Sequence, residues 1–394
     1  GYGPDTVLPE PRPQRWPTMA IAPAVGFAAG DAPVPAPGFA VTRFAEKLDH
    51  PRWLYELPNG DVLVAESNAP ARPPEFGRPS VRERVAGLIM QHAGARTPSA
   101  ERISLLRDGD GDGVAEVKTA FIENLRSPFG MALVGDSLYV ANADSLVRFP
   151  YEPGATRITA APVKICDLPA GRNHHWTKSL VASPDGSRLY VGVGSNSNIA
   201  EYGMHEEVRR AAILEIDPAT GATEVYASGL RNPVGMDWNP VTGELWTTVN
   251  ERDEIGDDLV PDYMTSVKRG GFYGWPYCYY GQIVDARVQP QDPALVARAI
   301  RPDYALGAHS ASLGLTFVDN PAFGGDAYQG GVVVGQHGSW NREPPAGYRV
   351  IFVPFRGGRP AGMPQPLLTG FRTPQGQAKG RPVGVIIDRR GGLL

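Results

Sequence analysis

The sequence predicts an all-β protein assembled from repeated small sheets, and three features point there. Its 47 glycines and 39 prolines make up about a fifth of the 394 residues, against roughly 12% in an average protein. Both residues are costly inside helices, so a mostly helical chain is excluded. With 42% hydrophobic residues and seven tryptophans the chain is too apolar for disorder. Finally, one strand–turn–strand pattern recurs along the chain.

Taken in order, residues 1–38 form a Pro-rich stretch expected to run as an extended lead-in. Gly1-Tyr2-Gly3-Pro4 reads as a processed start, and the stretch lacks the pattern of a signal peptide. Residues 39–394 are expected to form a single domain. Its repeats begin at Pro51 (PRWLYELPNGDVLVAE), Pro128 (PFGMALVGDSLYVA), Lys178 (KSLVASPDGSRLYVGVG), Pro233 (PVGMDWNPVTGELWTTVN), Ser312 (SLGLTFVDNPAFGGDAYQGGVVVG) and Pro382 (PVGVIIDRRGGLL). Each holds two half-buried strands around an Asn-Gly, Asp-Gly or other Gly-bearing turn, the signal of a hairpin.

One such hairpin is too small to be stable, so the units must stack their faces. Closing six of them around an axis gives a six-bladed β-propeller with long loops on one face. A β-sandwich with long excursions is the alternative, but it needs no sixfold recurrence of one hairpin. The sixth copy reaches Leu394 as its second strand starts, so its blade is expected to be truncated at the C-terminus.

Composition excludes several classes. Thirty-eight basic and forty-two acidic residues give a net charge of −4, which offers no bulk attraction for nucleic acid. No apolar run approaches the ~20 residues of a membrane span. The two cysteines, Cys166 and Cys278, exclude a disulfide-dense scaffold and a Cys-based metal cluster. Whether they pair is left open.

Polar residues gather just before the inner strand of several copies: Arg52, His175 with Lys178, Arg231 with Asn232, and Arg381. In a propeller these positions converge at one mouth of the axial channel. His175 lies in the run His174-His175-Trp176-Thr177-Lys178, and an imidazole there can accept a hydroxyl proton near neutral pH. Neither histidine has a nucleophile elbow nearby, which disfavours acyl transfer. Arg231 offers donors for a carboxylate or an oxyanion, or an ion pair between blades.

The acidic loop Asn250–Asp258, with Asp253 and Glu254, can hold a hard cation or be an exposed turn. GGFYGWP, at residues 270–276, suits a cofactor or sugar platform. Asp108, Asp110 and Asp112 imitate the start of a calcium loop, but the twelfth position is Thr119, not the bidentate Glu of an EF-hand. A metal-bound and a metal-free hairpin turn both remain open there. His337, Arg342, Lys379 and Arg381 add cationic groups that suggest a small, multiply anionic ligand. No nucleotide-binding glycine motif occurs in a strand–helix context.

Together HPRWLYELPNGDVLVAE, NHHWTKSL, SGLRNPVGM, NERDEIGDDLVPDY, GGFYGWPY and GQHGSWNR resemble the soluble pyrroloquinoline-quinone (PQQ) dependent sugar dehydrogenases, L-sorbosone dehydrogenases most of all. The resemblance spans residue 39 to the end. It implies a six-bladed propeller that carries PQQ and calcium and oxidises an aldose or sugar aldehyde, passing electrons to an unidentified acceptor. It further implies a periplasmic or secreted location.

By the same resemblance His175 is the catalytic base, Arg231 lies beside the quinone carbonyls, and Asn232 contacts the cofactor. Asp253 and Glu254 supply backbone carbonyls to the cofactor's calcium. Arg52, Lys178, His337, Arg342, Lys379 and Arg381 fall among the groups that meet the cofactor, although the H-x-x-W-N-R spacing departs from the family pattern. A lactonase-like calcium hydrolase or a non-catalytic binding propeller is the alternative.

Overall fold

The computed structural model describes residues 1–14, 18–76 and 97–394, so residues 15–17 of the expected lead-in lie outside the described residues. Five antiparallel sheets follow one another along the chain, each a meander whose spatial order is its sequence order. The first contains Pro51–Glu56, Val62–Glu66, Arg102–Arg107 and Val117–Ile122. The second runs through Met131–Val134, Ser137–Ala141, Ser145–Pro150 and Val163–Asp167. The third uses Lys178–Ala182, Leu189–Val193, Ala212–Ile216 and Thr223–Ser228, with Gly271–Phe272 added in parallel. Pro233–Trp238, Leu245–Val249, Pro261–Ser266 and Tyr304–Ala308 build the fourth, and Ser312–Phe317, Val332–Gln336, Arg349–Val353 and Gln365–Thr369 the fifth. The only α-helix among the described residues is Pro293–Arg298.

Second strands such as Val62–Glu66, Leu189–Val193 and Val332–Gln336 are buried at every position. Strands of this kind are covered on both faces, as stacking between neighbouring sheets requires. Four of the hydrophobic clusters confirm it, since each joins residues of two neighbouring sheets. Leu138 and Val140 of the second sheet pack with Leu63 and Leu105 of the first.

The glycine at the third position of four of the six copies, Gly130, Gly235, Gly314 and Gly384, explains how the inner strands close into a ring. The Gly130 N–H donates to the Lys178 carbonyl at 3.0 Å, and a Cβ at Gly130 would lie 2.3 Å from the Leu180 nitrogen. A Cβ at Gly235 would lie 2.4 Å from the Leu313 carbonyl oxygen. The Gly314 N–H donates to the Val383 carbonyl at 2.9 Å, and the Gly384 N–H to the Arg52 carbonyl at 3.2 Å. Neighbouring backbones approach too closely for any side chain between them.

The architecture is thus an all-β propeller with five blades among the described residues, where the expected sixth does not form a sheet. Residues 382–394 occupy the arc between the fifth and first sheets without forming a sheet. They make a small hairpin in which Ile386 and Leu394 exchange two N–H···O bonds of 3.0 Å. Beside it lies an open cavity of about 1130 Å³, lined by Phe44, Leu48, Leu54, Val64, Leu367 and Leu393 among others.

The lead-in is bound to the propeller as a strap. Tyr2–Gly3 pairs with Tyr304–Ala308, and Val34–Pro35 pairs with Gln365–Thr369. Between these ends, the Arg12 and Gln14 N–H groups donate to the Ile255 and Glu254 carbonyls, and Ala20 donates to Trp340. The same strap therefore touches the acidic loop and the HGSWNR loop.

Candidate active site

Trp53, Phe129, Trp176, Val234 and Leu313 come from the inner segments of all five sheets and pack together. Trp53 and Phe129 rings lie 4.7 Å apart, and Phe129 meets Trp176 edge-on at 5.9 Å. They form an apolar floor. Polar residues that precede the same strands stand around it.

His175 is the residue whose geometry is most specific. Its Nδ1 lies 2.9 Å from the Ser195 carbonyl oxygen and 3.1 Å from Ser195 Oγ. A carbonyl only accepts, so Nδ1 carries the proton and Nε2 of the neutral ring keeps its lone pair. Burial first, and then the positive charge of Arg231, hold His175 well below the usual imidazole pKa. The backbone makes room for it through Gly194, where a Cβ would come within 2.4 Å of His175 Cβ and 2.3 Å of Asn232 Oδ1. Asn232 Nδ2 donates to Asn250 Oδ1 at 3.4 Å, while its buried Oδ1 has no partner.

Arg52, His337 and Arg381 form a second group. Arg52 sits 5.8 Å over the Trp176 ring, and burial lowers its pKa to about 10. Arg381 donates to Tyr348 Oη at 3.0 Å and to the Ala22 carbonyl at 3.2 Å. The Nε atoms of both arginines are buried without a hydrogen-bond partner. His337 feels both guanidinium groups, and burial followed by their charge drives its pKa well below the usual value. It is therefore a neutral imidazole, not the cation expected from the sequence.

Three other expected cations are engaged elsewhere. Lys178 is fully buried, donates from Nζ to the Trp176 carbonyl at 3.0 Å, and sits with Arg210 and Asp144 near it. Lys379 pairs with Asp31 of the strap at 2.6 Å, and Arg342 pairs with Asp258 at 2.6 Å.

Arg231 is 3% exposed, and every one of its N–H groups donates within the protein. Nε reaches the Asn198 carbonyl at 3.1 Å; Nη1 reaches the Asn250 and Glu251 carbonyls at 3.3 and 2.8 Å. Nη2 reaches Asn198 Oδ1 at 3.0 Å and Asp253 Oδ2 at 3.5 Å. The expected role as a free oxyanion donor is corrected accordingly: Arg231 contributes its charge, held in place.

Asp253 works through its side chain. Oδ1 accepts from Asn341 Nδ2 at 2.6 Å and faces His309 Nδ1 at 3.3 Å. Burial alone would raise this carboxyl, but His309 and Arg231 hold it below the ordinary carboxylate range. The Glu254 carbonyl is turned to the strap, where Gln14 N–H donates at 3.0 Å and Arg287 Nη1 at 3.4 Å. A carbonyl already met by a guanidinium is poorly suited to a calcium ion, so the expected metal ligation does not fit at Glu254.

Carboxylate oxygens of Asp108, Asp110, Asp112 and Glu116 lie within 4.8 Å of one another, at the turn joining the outer two strands of the first sheet. They accept from loop amides, Gly111 N–H to Asp108 at 2.6 Å for example, and Arg390 pairs with Asp108 at 2.7 Å. Cys166 and Cys278 are both free thiols.

His309, Asn341 and Asn198 were missed in the sequence. His309 had a signal: it stands three residues before the fifth inner strand, as His175 does before the third. Asn198 had none, because its importance comes from what the fold brings to it.

Fold and site together define a propeller with a histidine and cationic groups gathered over an apolar axial floor. The chain belongs to the TrAA12-like family, whose model matches residues 101–394. Among solved structures it is similar to a Trichoderma reesei carbohydrate-active enzyme of family AA12, with a TM-score of 0.73 and 19% identity over 92% of this chain and 94% of that one. It is also similar to the PQQ domain of pyranose dehydrogenase from Coprinopsis cinerea, with a TM-score of 0.71 and 22% identity over 96% of each chain. Among curated proteins, the PQQ-dependent pyranose dehydrogenase of Coprinopsis cinerea is 26% identical over 56% of this chain and 35% of its own length. An uncharacterised Borreliella burgdorferi protein is 29% identical over 56% of this chain. The chain spans 57% of that protein.

Proposed function

We propose that this chain is a quinoprotein oxidoreductase that oxidises an aldose or sugar aldehyde, sorbosone-like in chemistry, with PQQ as its electron acceptor. The observation that carries the reading is His175, buried and neutral with its free Nε2 lone pair and beside the fixed charge of Arg231; Arg52 and Arg381, next to His337, retain unpartnered Nε atoms. The same donors suit a planar tricarboxylate quinone: Arg52 and Arg381 would hold its carboxylates, and Asn232 would contact its polar edge. When bound, PQQ supplies a quinone carbonyl able to take two electrons as hydride.

What the chain itself does follows from its geometry. His175 Nε2 takes the proton from the C1 hydroxyl of the cyclic aldose, or of the hydrated aldehyde, as the C1 hydrogen leaves as hydride with the C–H electron pair. The Ser195 carbonyl holds the opposite ring edge, fixing the tautomer and steadying the imidazolium once formed. Arg231, immobilised by its five donors, keeps positive charge beside the reacting centre without reorganising. The Trp53–Phe129–Trp176 floor excludes water from beneath. The expected calcium enters no step here.

Export to the periplasm or the outside, and a separate electron acceptor, accompany this reading as proposals. A lactonase-like hydrolase would need carboxylates free to hold a central cation, whereas both Asp253 oxygens already face nitrogen donors. The test is dye-linked oxidation of aldoses and sugar aldehydes by the purified protein, with and without PQQ and Ca²⁺. His175→Ala should abolish turnover while leaving the absorbance change on PQQ binding intact. Wild-type turnover in that variant would sink the assignment, and lactone opening without PQQ would favour the hydrolase.

A further inference from the structure

Asn198 follows the second strand of the third sheet, in the run Ser195-Asn196-Ser197-Asn198. It is 9% exposed, and its carbonyl and both side-chain polar atoms are engaged by residues around the site. Its carbonyl accepts from Arg231 Nε at 3.1 Å and from the Trp275 indole N–H at 2.9 Å. Its Oδ1 accepts from Arg231 Nη2 at 3.0 Å and from the Asp253 backbone N–H at 2.9 Å. Its Nδ2 donates to the Asp253 carbonyl at 3.3 Å. The side chain thus clamps residue 253 by both backbone groups while receiving the guanidinium edge of Arg231.

The segment carrying it is anchored from below. Glu207, buried, accepts from the Asn196 N–H at 2.8 Å and from Ser197 Oγ. At the other end, the Ser195 N–H donates to the Arg231 carbonyl at 2.7 Å, and Ser195 holds His175. One short stretch therefore sets the positions of the base, the arginine and the acidic loop together. A carboxamide is required at 198, since only it accepts twice and donates once from one side chain in this geometry. Alanine leaves a buried N–H of Asp253 unpaired, and aspartate loses the donor.

We propose that Asn198 is a positioning residue that fixes the Arg231 charge and the Asp253 loop relative to His175. The proposal rests on the sugar-oxidising reading for its kinetic consequence, not for its structural one. Displacing an aligned group by about 1 Å can cost about 100-fold in rate. Asn198→Ala should therefore lower kcat per folded protein by about 10–100-fold, with KM for the sugar changed by less than about 3-fold. Asn198→Asp, which keeps the Oδ1 acceptor for Arg231 and the Asp253 N–H, should retain more of the rate. In an Arg231→Lys background the alanine substitution should add little further loss, because the residue acts through that arginine.

The same cycle is read without cofactor from the urea unfolding of the four apoproteins, where the two sites should be coupled by about 5–10-fold in the unfolding constant. A merely structural residue would lower stability yet leave kcat per folded protein unchanged; that result, or an additive unfolding cycle, overturns the proposal. Should the wild-type protein oxidise no sugar with PQQ and Ca²⁺, the proposed function fails. The unfolding cycle alone then decides for or against Asn198.

Discussion

Replacing Gly235 by alanine tests whether ring closure depends on direct backbone contact between sheets. A Cβ at this position would stand 2.4 Å from the Leu313 carbonyl oxygen, 2.6 Å from the Leu315 nitrogen and 2.8 Å from Leu315 Cβ. Ordinary contacts of this kind begin near ~3.5 Å, so the fourth and fifth sheets must part by about 1 Å. Two of the three obstacles are main chain of a strand inside a sheet, so neither can rotate away. Overpacking of a core costs about 1–3 kcal/mol and more where relief is blocked. We expect about 3 kcal/mol, read as a lower midpoint in urea with an unchanged slope.

The site should register the same shift. Arg231 lies four residues upstream on the displaced strand's entrance, so kcat should fall about 10–100-fold more than KM rises. Gly109→Ala is the control: its nearest heavy atom is Glu116 Oε2 at 3.7 Å. That variant should stay within about 0.5 kcal/mol of wild type. A Gly235→Ala protein with wild-type midpoint and rate would refute the close-contact explanation of the repeated glycine.

Three further expectations follow from individual residues. Because burial and Arg231 keep His175 deprotonated in mild acid, the acid limb of kcat/KM should fall below pH ~6.5; a limb at or above that value would count against His175 as base. Arg381→Ala should weaken PQQ binding about 10–100-fold in a fluorescence-quenching titration, the loss expected of a charge-assisted hydrogen bond, and an unchanged affinity would remove Arg381 from the cofactor site. Burial raises Asp237 from 3.8 to about 6, so this carboxyl supports the fold at low pH and that support is lost as pH rises through about 6. Asp237→Asn should therefore gain stability relative to wild type between about pH 4 and 6, by about 2–3 kcal/mol in parallel urea titrations; a pH-independent difference would contradict it.

Much of this protein is local in origin and so was legible in the sequence. Alternating apolar residues around Asn59-Gly60 or Asp185-Gly186 determine a hairpin without help from the rest of the chain. Recurrence of that hairpin implies stacking, because no single copy can bury its own faces. His175, Arg52 and Arg381 were singled out as candidates from their places near the start of a repeat: His175 stands three residues before its strand, Arg52 is the second residue of its own, and Arg381 directly precedes the Pro382 segment.

What the tertiary structure alone decided concerns partners distant in sequence. Lys379 was expected at the ligand, but Asp31 of the strap, far along the chain, claims its charge. Glu254 was expected to give its carbonyl to a metal, yet Gln14 and Arg287 take it. Arg231 was expected to donate outward, but Asn198, Asn250, Glu251 and Asp253 together absorb its five N–H groups. A side chain's type states what it can bond; only the packed fold states which acceptor reaches it first. The count of sheets was decided in the same way, since residues 382–394 close the inner ring by backbone hydrogen bonds to Gly314 and Arg52 without building a sheet of their own.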